Sequence, residues 1–314
     1  MNRFRFLGLC IGLCFSLLFL PVLAQDDAIQ APPEDVIAMF DYDQSAPLDI
    51  QQVGTEMRGD VTVQDITFAV PDGDPIPAYL VLPPNAESAD ANTFAGILYL
   101  HWYEPESPTS NRGQFLDEAV TLASEGVVSL LPATNWEEAA WFNQSRTNEG
   151  DFDDSVRQVI NLRRALDVLL SQNGVDPDRI AVVGHDFGGM YGATLAMVDD
   201  RPDALVIIAA TPRYVDWFFF TAQDLSEEQR QAIRDQFAPI DPITAIPYAE
   251  NKPILFQFGG NDQYVSSDAA AEFFAAALPP KLHQSYPELE HAMDSAFVQT
   301  DRLRFLRRYL ELGE

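Results

Sequence analysis

The sequence predicts an α/β fold: a mostly parallel central sheet, helices on both faces, and a short lid inserted late in the chain. Three observations carry that expectation. Short, continuously apolar runs at 96–100, 127–131, 179–183, 204–210 and 253–258 have the pattern of strands buried on both faces. Helical segments alternate with them, most clearly 154–170, where Val156, Val159, Ile160, Leu162, Leu166 and Leu169 fall on one face. Strand-helix alternation makes the strands parallel. The third observation is Gly184-His185-Asp186-Phe187-Gly188, set between an apolar strand and the helix-forming run 190–197. A strained strand-to-helix turn with glycines two places either side of a reactive residue is a nucleophile elbow.

In chain order, residues 1–24 have the features of a signal peptide. Arg3 and Arg5 precede the apolar run 6–20, and Pro21 and Ala24 bracket a small-residue cleavage site. Export to the periplasm or outside the cell is expected, with an uncleaved membrane anchor as the competing reading. Cys10 and Cys14 are the only cysteines, so cleavage removes all thiol chemistry. Residues 25–58 are an N-terminal extension with irregular patterning, in which Met39, Phe40, Asp41 and Tyr42 are expected to pack onto the domain. The domain proper is 59–314. It opens with an antiparallel hairpin, 61–70 and 78–82, around a turn rich in Pro, Asp and Gly. A helix at 112–125 stops at Gly126, and a loop carrying Trp136, Trp141 and Phe142 follows the next strand. Residues 213–251 form the small lid insertion, with Tyr214, Trp217 and Tyr248. Helix 268–278, strand 282–286 and closing helix 295–312 complete the chain.

The chain has 314 residues, with 48 Asp and Glu against 19 Lys and Arg, a formal charge of −29. Such a surface repels nucleic acid and anionic membranes, so no nucleic-acid partner and no stable membrane association after cleavage are expected. Four histidines without short spacing make no metal site, and nothing calls for a cofactor. The expected partner is a small-molecule substrate.

Ligands in such sheets gather beyond the carboxyl ends of the strands. There the sequence places Asp186 at the elbow, Asp262 after the strand 253–258, His291 after the last strand, and His101-Trp102-Tyr103 after the first buried parallel strand. Asp268 competes with Asp262 but sits where a helix N-cap belongs. His283 lies within a strand, and His185 is expected to pack beneath the turn. Nucleophile, acid and histidine follow one another as an α/β-hydrolase requires.

On these residues the chain resembles the α/β-hydrolase superfamily from residue 61 to the C-terminal helix. The 61–83 hairpin, the strand ending in His101 and the Asp262 loop are similar to dienelactone hydrolase-like and acetyl-xylan-esterase-like enzymes. The elbow 184–189 instead resembles that of soluble epoxide hydrolases and related dehalogenases, which use an Asp nucleophile. Here the oxyanion loop reads His101-Trp102-Tyr103-Glu104-Pro105, which departs from the epoxide hydrolase pattern, and the lid is too short for that family's cap.

A carboxylate is already ionised near neutral pH, so it attacks an sp³ carbon without a base. Asp186 is then the nucleophile, His291 the base that activates water, and Asp262 the group that orients His291. Backbone N–H groups of Phe187 and of Trp102 or Tyr103 are expected in the oxyanion hole. His101, Tyr214 and Trp217 are expected around the substrate. The implied activity is hydrolysis of a small apolar epoxide, halide or ester through a covalent intermediate. The alternatives are a dienelactone hydrolase-like carboxylic ester hydrolase and a non-catalytic, hydrolase-derived binding protein.

Overall fold

Backbone pairing joins nine strands into one sheet: β1 Gln51–Arg58, β2 Val61–Phe68, β3 Ile76–Leu82, β4 Phe94–Leu100, β5 Val127–Pro132, β6 Val175–His185, β7 Ala204–Ile208, β8 Ile254–Gly259 and β9 Lys281–Tyr286. Their spatial order is β1-β2-β3-β5-β4-β6-β7-β8-β9. The computed structural model describes residues 31–220, 222 and 224–313. The expected signal segment 1–24, with both cysteines, lies outside the described residues.

β1, β2 and β3 run antiparallel, as does β3 against β5, and every later neighbour is parallel. Alternation along the central strands sorts side chains into two cores. Ile97, Tyr99, Ala181 and Val183 pack with α2 (Leu116–Ala123) and α9 (Ala296–Tyr309) on one face. Leu98, Leu100, Ile180 and Val182 pack on the other face with α3 (Asp151–Leu170), α4 (Phe187–Val198) and α8 (Ser267–Ala276). The α/β class with helices on both faces holds, and each of the apolar runs at 96–100, 127–131, 179–183, 204–210 and 253–258 coincides with a strand, although β7 ends at Ile208 and β8 starts at Ile254.

The N-terminal extension departs from the expected boundary at residue 59. Residues 51–58, which carry no apolar periodicity, form the edge strand β1. Ahead of it, α1 (Glu34–Ala38) buries Val36, and Phe40 is fully buried. Tyr42 donates its hydroxyl to Asp167 at 2.9 Å, and the buried Arg164 donates to the carbonyls of Ala46 and Pro47, each at 2.6 Å. The extension is therefore integral to the domain from residue 34 onward.

The insertion between β7 and β8 folds as α5 (Tyr214–Phe218), α6 (Glu227–Phe237) and α7 (Pro242–Ala245). Ser226 and Gln229 cap α6 reciprocally. Ser266, not Asp268, caps α8. The 136–142 loop ends in a single π-helical turn, Trp141–Ser145, that buries Trp141 and Phe142.

Candidate active site

The elbow is built by two steric requirements. A Cβ on Gly184 would stand 2.2 Å from the carbonyl oxygen of Gly188, and one on Gly188 would stand 2.2 Å from that of Leu100. With both absent, α4 starts flush against β4 and β6. Asp186 adopts φ 56°, ψ −119°, a conformation costly for a residue with a side chain. Its N–H donates to the Ile208 carbonyl at 2.8 Å, so strain is held in place from both flanks.

The Asp186 carboxylate is fully buried, and its two oxygens are in different surroundings. Oδ2 accepts from the Tyr103 N–H at 3.1 Å. Oδ1 has no hydrogen-bond partner and stands 3.6 Å from His291 Nε2, which has none either. That separation is longer than a hydrogen bond. Burial pushes the Asp186 carboxyl up, against the counter-pull of His291 and the N–H groups of Tyr103 and Phe187.

His291 Nδ1 lies 2.8 Å from Asp262 Oδ2, while Asp262 Oδ1 accepts from the N–H groups of Tyr264 and Val265. That fixes the proton on Nδ1 and leaves Nε2 facing Asp186. Burial disfavours the imidazolium, but the negative charge of the nearby Asp186 and the charge and hydrogen bond of Asp262 outweigh it, raising His291 to about 9. The Asp262 loop closes tightly on the His291 loop, since a Cβ on Gly259 would meet the Leu289 carbonyl at 2.5 Å.

His185 lies beneath the turn. Its Nε2 is 2.8 Å from the His291 carbonyl and its Nδ1 2.6 Å from Gln114 Nε2, so Nε2 carries the proton and Nδ1 accepts. Burial holds His185 well below the ordinary histidine range, so it stays neutral. Gln114 in turn accepts the Trp102 N–H at 2.8 Å. Of the two N–H groups expected on this loop, that of Trp102 is therefore spent on Gln114, and that of Tyr103 points at Asp186.

Two expected pocket residues lie elsewhere. His101 is buried behind the loop between Thr134 and the Trp102 carbonyl, and burial lowers it to about 4. Tyr214 is fully buried, with its hydroxyl 2.7 Å from Thr194 Oγ1. Neither lines the aromatic chamber beside the elbow. Trp217 does line the chamber, about 190 Å³, together with Tyr103, Glu104, Phe142, Phe220 and Tyr264. Its ring packs 5.8 Å from His291, and its indole N–H is buried without a partner. Tyr264, 5.0 Å from the His291 ring, was not picked out from sequence, although it lies two residues after Asp262. Gln114 carries no sequence signal at all. Among the described residues no cluster of His, Cys, Asp and Glu could hold a metal.

A model of the prolyl oligopeptidase family matches residues 117–311, from α2 to the end of the last helix. The chain belongs to the prolyl oligopeptidase family. It has the α/β-hydrolase fold. Two curated proteins of Mycobacterium tuberculosis, described as uncharacterised, are 25% identical over 162 residues, covering 48% of this chain. The match spans 53% of their length, so the chain covers about half of the curated relatives it matches. Among solved structures, an acetyl xylan esterase from Paenibacillus sp. R4 superposes with a TM-score of 0.72 at 18% identity, over 88% of this chain and 92% of that one. Acetyl xylan esterase 1 from Thermoanaerobacterium sp. JW/SL YS485 gives 0.71 at 17% identity, over 90% and 95%. At such identities the likeness is one of fold.

Proposed function

We propose that this family member hydrolyses its substrate through a covalent ester on Asp186. The observation that carries the reading is the split environment of the carboxylate. Oδ2 already rests on the Tyr103 N–H, while Oδ1 is unpaired and stands 3.6 Å from His291 Nε2. A serine at this turn would leave the oxyanion donors free for a substrate carbonyl. Here a nucleophile oxygen occupies them.

In the first step Oδ1 attacks an electrophilic sp³ carbon. The new C–O bond forms as the bond to the leaving atom breaks, and that atom departs with the electron pair. The phenol of Tyr264 keeps its proton at neutral pH, because burial and the charges of Glu104, Asp186 and Asp262 all raise it. It and the unpaired Trp217 N–H are the donors for the leaving atom, the role Tyr214 cannot fill. In the second step His291 Nε2 takes a proton from water, and the hydroxide adds to the Asp186 carbonyl carbon. The oxyanion develops on Oδ2, where the Tyr103 and Phe187 N–H groups support it. Collapse breaks the ester C–O bond, the departing alkoxide takes the proton held on His291 Nε2 to leave as an alcohol, and the new carboxyl group loses its proton to solvent.

The acetyl xylan esterases of similar fold favour a second reading, hydrolysis of a carboxylic ester. Attack by Asp186 there gives a mixed anhydride, a less favourable intermediate than an alkyl ester. We also infer export of the chain, on the strength of residues 1–24 alone.

Replacing His291 by Gln should leave alkylation intact and stop its reversal by water. Incubated with a panel of small epoxides, haloalkanes and aryl acetates, H291Q should gain the mass of an alkyl or acyl group on the peptide containing Asp186. A panel member that wild type turns over without any H291Q adduct would contradict the reading.

A further inference from the structure

We propose that the chamber beside Asp186 binds a compact organic cation, a trialkylammonium or trialkylsulfonium group, between the rings of Trp217, Tyr264, Phe142 and Phe220 and the Glu104 carboxylate. The proposal rests on the reading that substrate reaches Asp186 through this chamber, and it names the chemical class of the non-reacting part of that substrate.

Five of the eight lining residues are aromatic, and the others are Glu104, Pro105 and Asn143. No Lys or Arg lines the space. Trp217 and Tyr264 lie 4.9 Å apart, and Phe220 closes the triangle at 6.3 and 6.1 Å. Aromatic faces are electronegative and attract a desolvated cation that carries no hydrogen-bond donors of its own. Phe220 is the exposed member, 63% accessible, and stands as the chamber's outer wall.

The one charged residue on the chamber wall is acidic, and the His291 imidazolium behind it is already matched by two carboxylates. Glu104 is on the wall, and Asp186 and Asp262 lie behind it, all three bearing on the Tyr264 phenol. Arg146 sits 4.7 Å from the Phe142 ring. It is engaged with Asp151 at 3.5 Å and with the Phe218 carbonyl at 2.7 Å, and does not line the space. An anionic group entering the chamber would meet the Glu104 carboxylate and no cationic side chain among the lining residues. A trialkylammonium group meets rings that match its methyl surface and a carboxylate that matches its charge. A neutral branched alkyl group of the same shape gains the first and not the second.

Choline and 3,3-dimethylbutan-1-ol differ only in nitrogen against carbon at the branch point, so their difference isolates the charge. Binding of each to the full chain is measured by titration calorimetry at about 0.15 M salt, where long-range attraction to the −29 surface is screened. Choline should bind at least roughly tenfold more tightly, the size of a desolvated cation–π contact. Glu104→Gln and Tyr264→Leu, both at half-buried positions, should each remove most of that preference. Equal or tighter binding of the neutral alcohol overturns the proposal in favour of an apolar slot. So does a preference that survives Tyr264→Leu, which would assign it to general surface charge, and so does failure of both ligands to bind. None of these outcomes involves turnover, so they leave the Asp186 ester to stand or fall on its own.

Discussion

Asp186 concentrates the chemistry of the molecule in two oxygen atoms with different neighbours. The unpaired Oδ1 and His291 Nε2, 3.6 Å apart, also define how the site should respond to pH. In the free enzyme His291 lies between two carboxylates and is raised to about 9. Its share of folding stability is therefore complete below its ordinary value of 6.5 and lost as pH rises through about 9. Esterification removes the Asp186 charge, leaving only Asp262 to hold the proton, so His291 becomes a weaker base in the intermediate. Water activation needs the neutral imidazole. Lowering the pH from 8 to 6 should then slow the second step more than the first, and the covalent adduct should accumulate at pH 6, seen by quenched-flow intact mass. A steady-state adduct that is larger at pH 8 would sink this assignment. The three charged members of the site were legible because each follows a buried strand in a short polar loop. Tyr214 was not, because its role depends on where one hydroxyl turns. Here it turns inward, to Thr194.

At the scale of elements, the elbow glycines and the loop at Gly259 bring three strand ends into register, and α9 fixes the sheet from behind. The buried Arg302 of α9 donates to both oxygens of the buried Glu118 on α2, with Nη2–Oε2 at 2.6 Å, and also reaches Gln257 on β8. Arg302→Met leaves the buried Glu118 charge with only the Tyr99 hydroxyl, 3.3 Å away, and should destabilise the fold by about 3–5 kcal/mol, measured by urea unfolding. A loss below about 1 kcal/mol would show that Glu118 is satisfied another way. The parallel strands were readable from their apolar runs. β1 was not: its residues are exposed on both faces, so its place is set by backbone pairing with β2 and leaves no periodic trace. The lid was readable as an insertion, but its helices pack by aromatic contacts that spacing does not specify.

The whole molecule combines a hydrolase scaffold with an uncommonly acidic surface and a leader-like N-terminus. The chain belongs to the prolyl oligopeptidase family, and the proposed chemistry turns on the residue at its elbow, Asp186. If residues 1–24 direct export, the protein recovered from periplasm or culture fluid should begin at Gln25, by N-terminal sequencing. Recovery of the intact Met1 terminus in the membrane fraction would favour the anchor instead. The fold class followed from composition and rhythm along the chain. The chamber did not, because Trp217, Phe142 and Tyr264 come from three distant segments and meet only in the folded state.

The covalent role of Asp186 is tested most directly by a single turnover in H₂¹⁸O with enzyme in excess over a substrate it hydrolyses. Water attacks the carbonyl carbon of the Asp186 ester, so one ¹⁸O should enter the Asp186 side chain, located by peptide mass spectrometry, while the released alcohol keeps an unlabelled oxygen. Label found only in the product, with Asp186 unlabelled, would contradict the account.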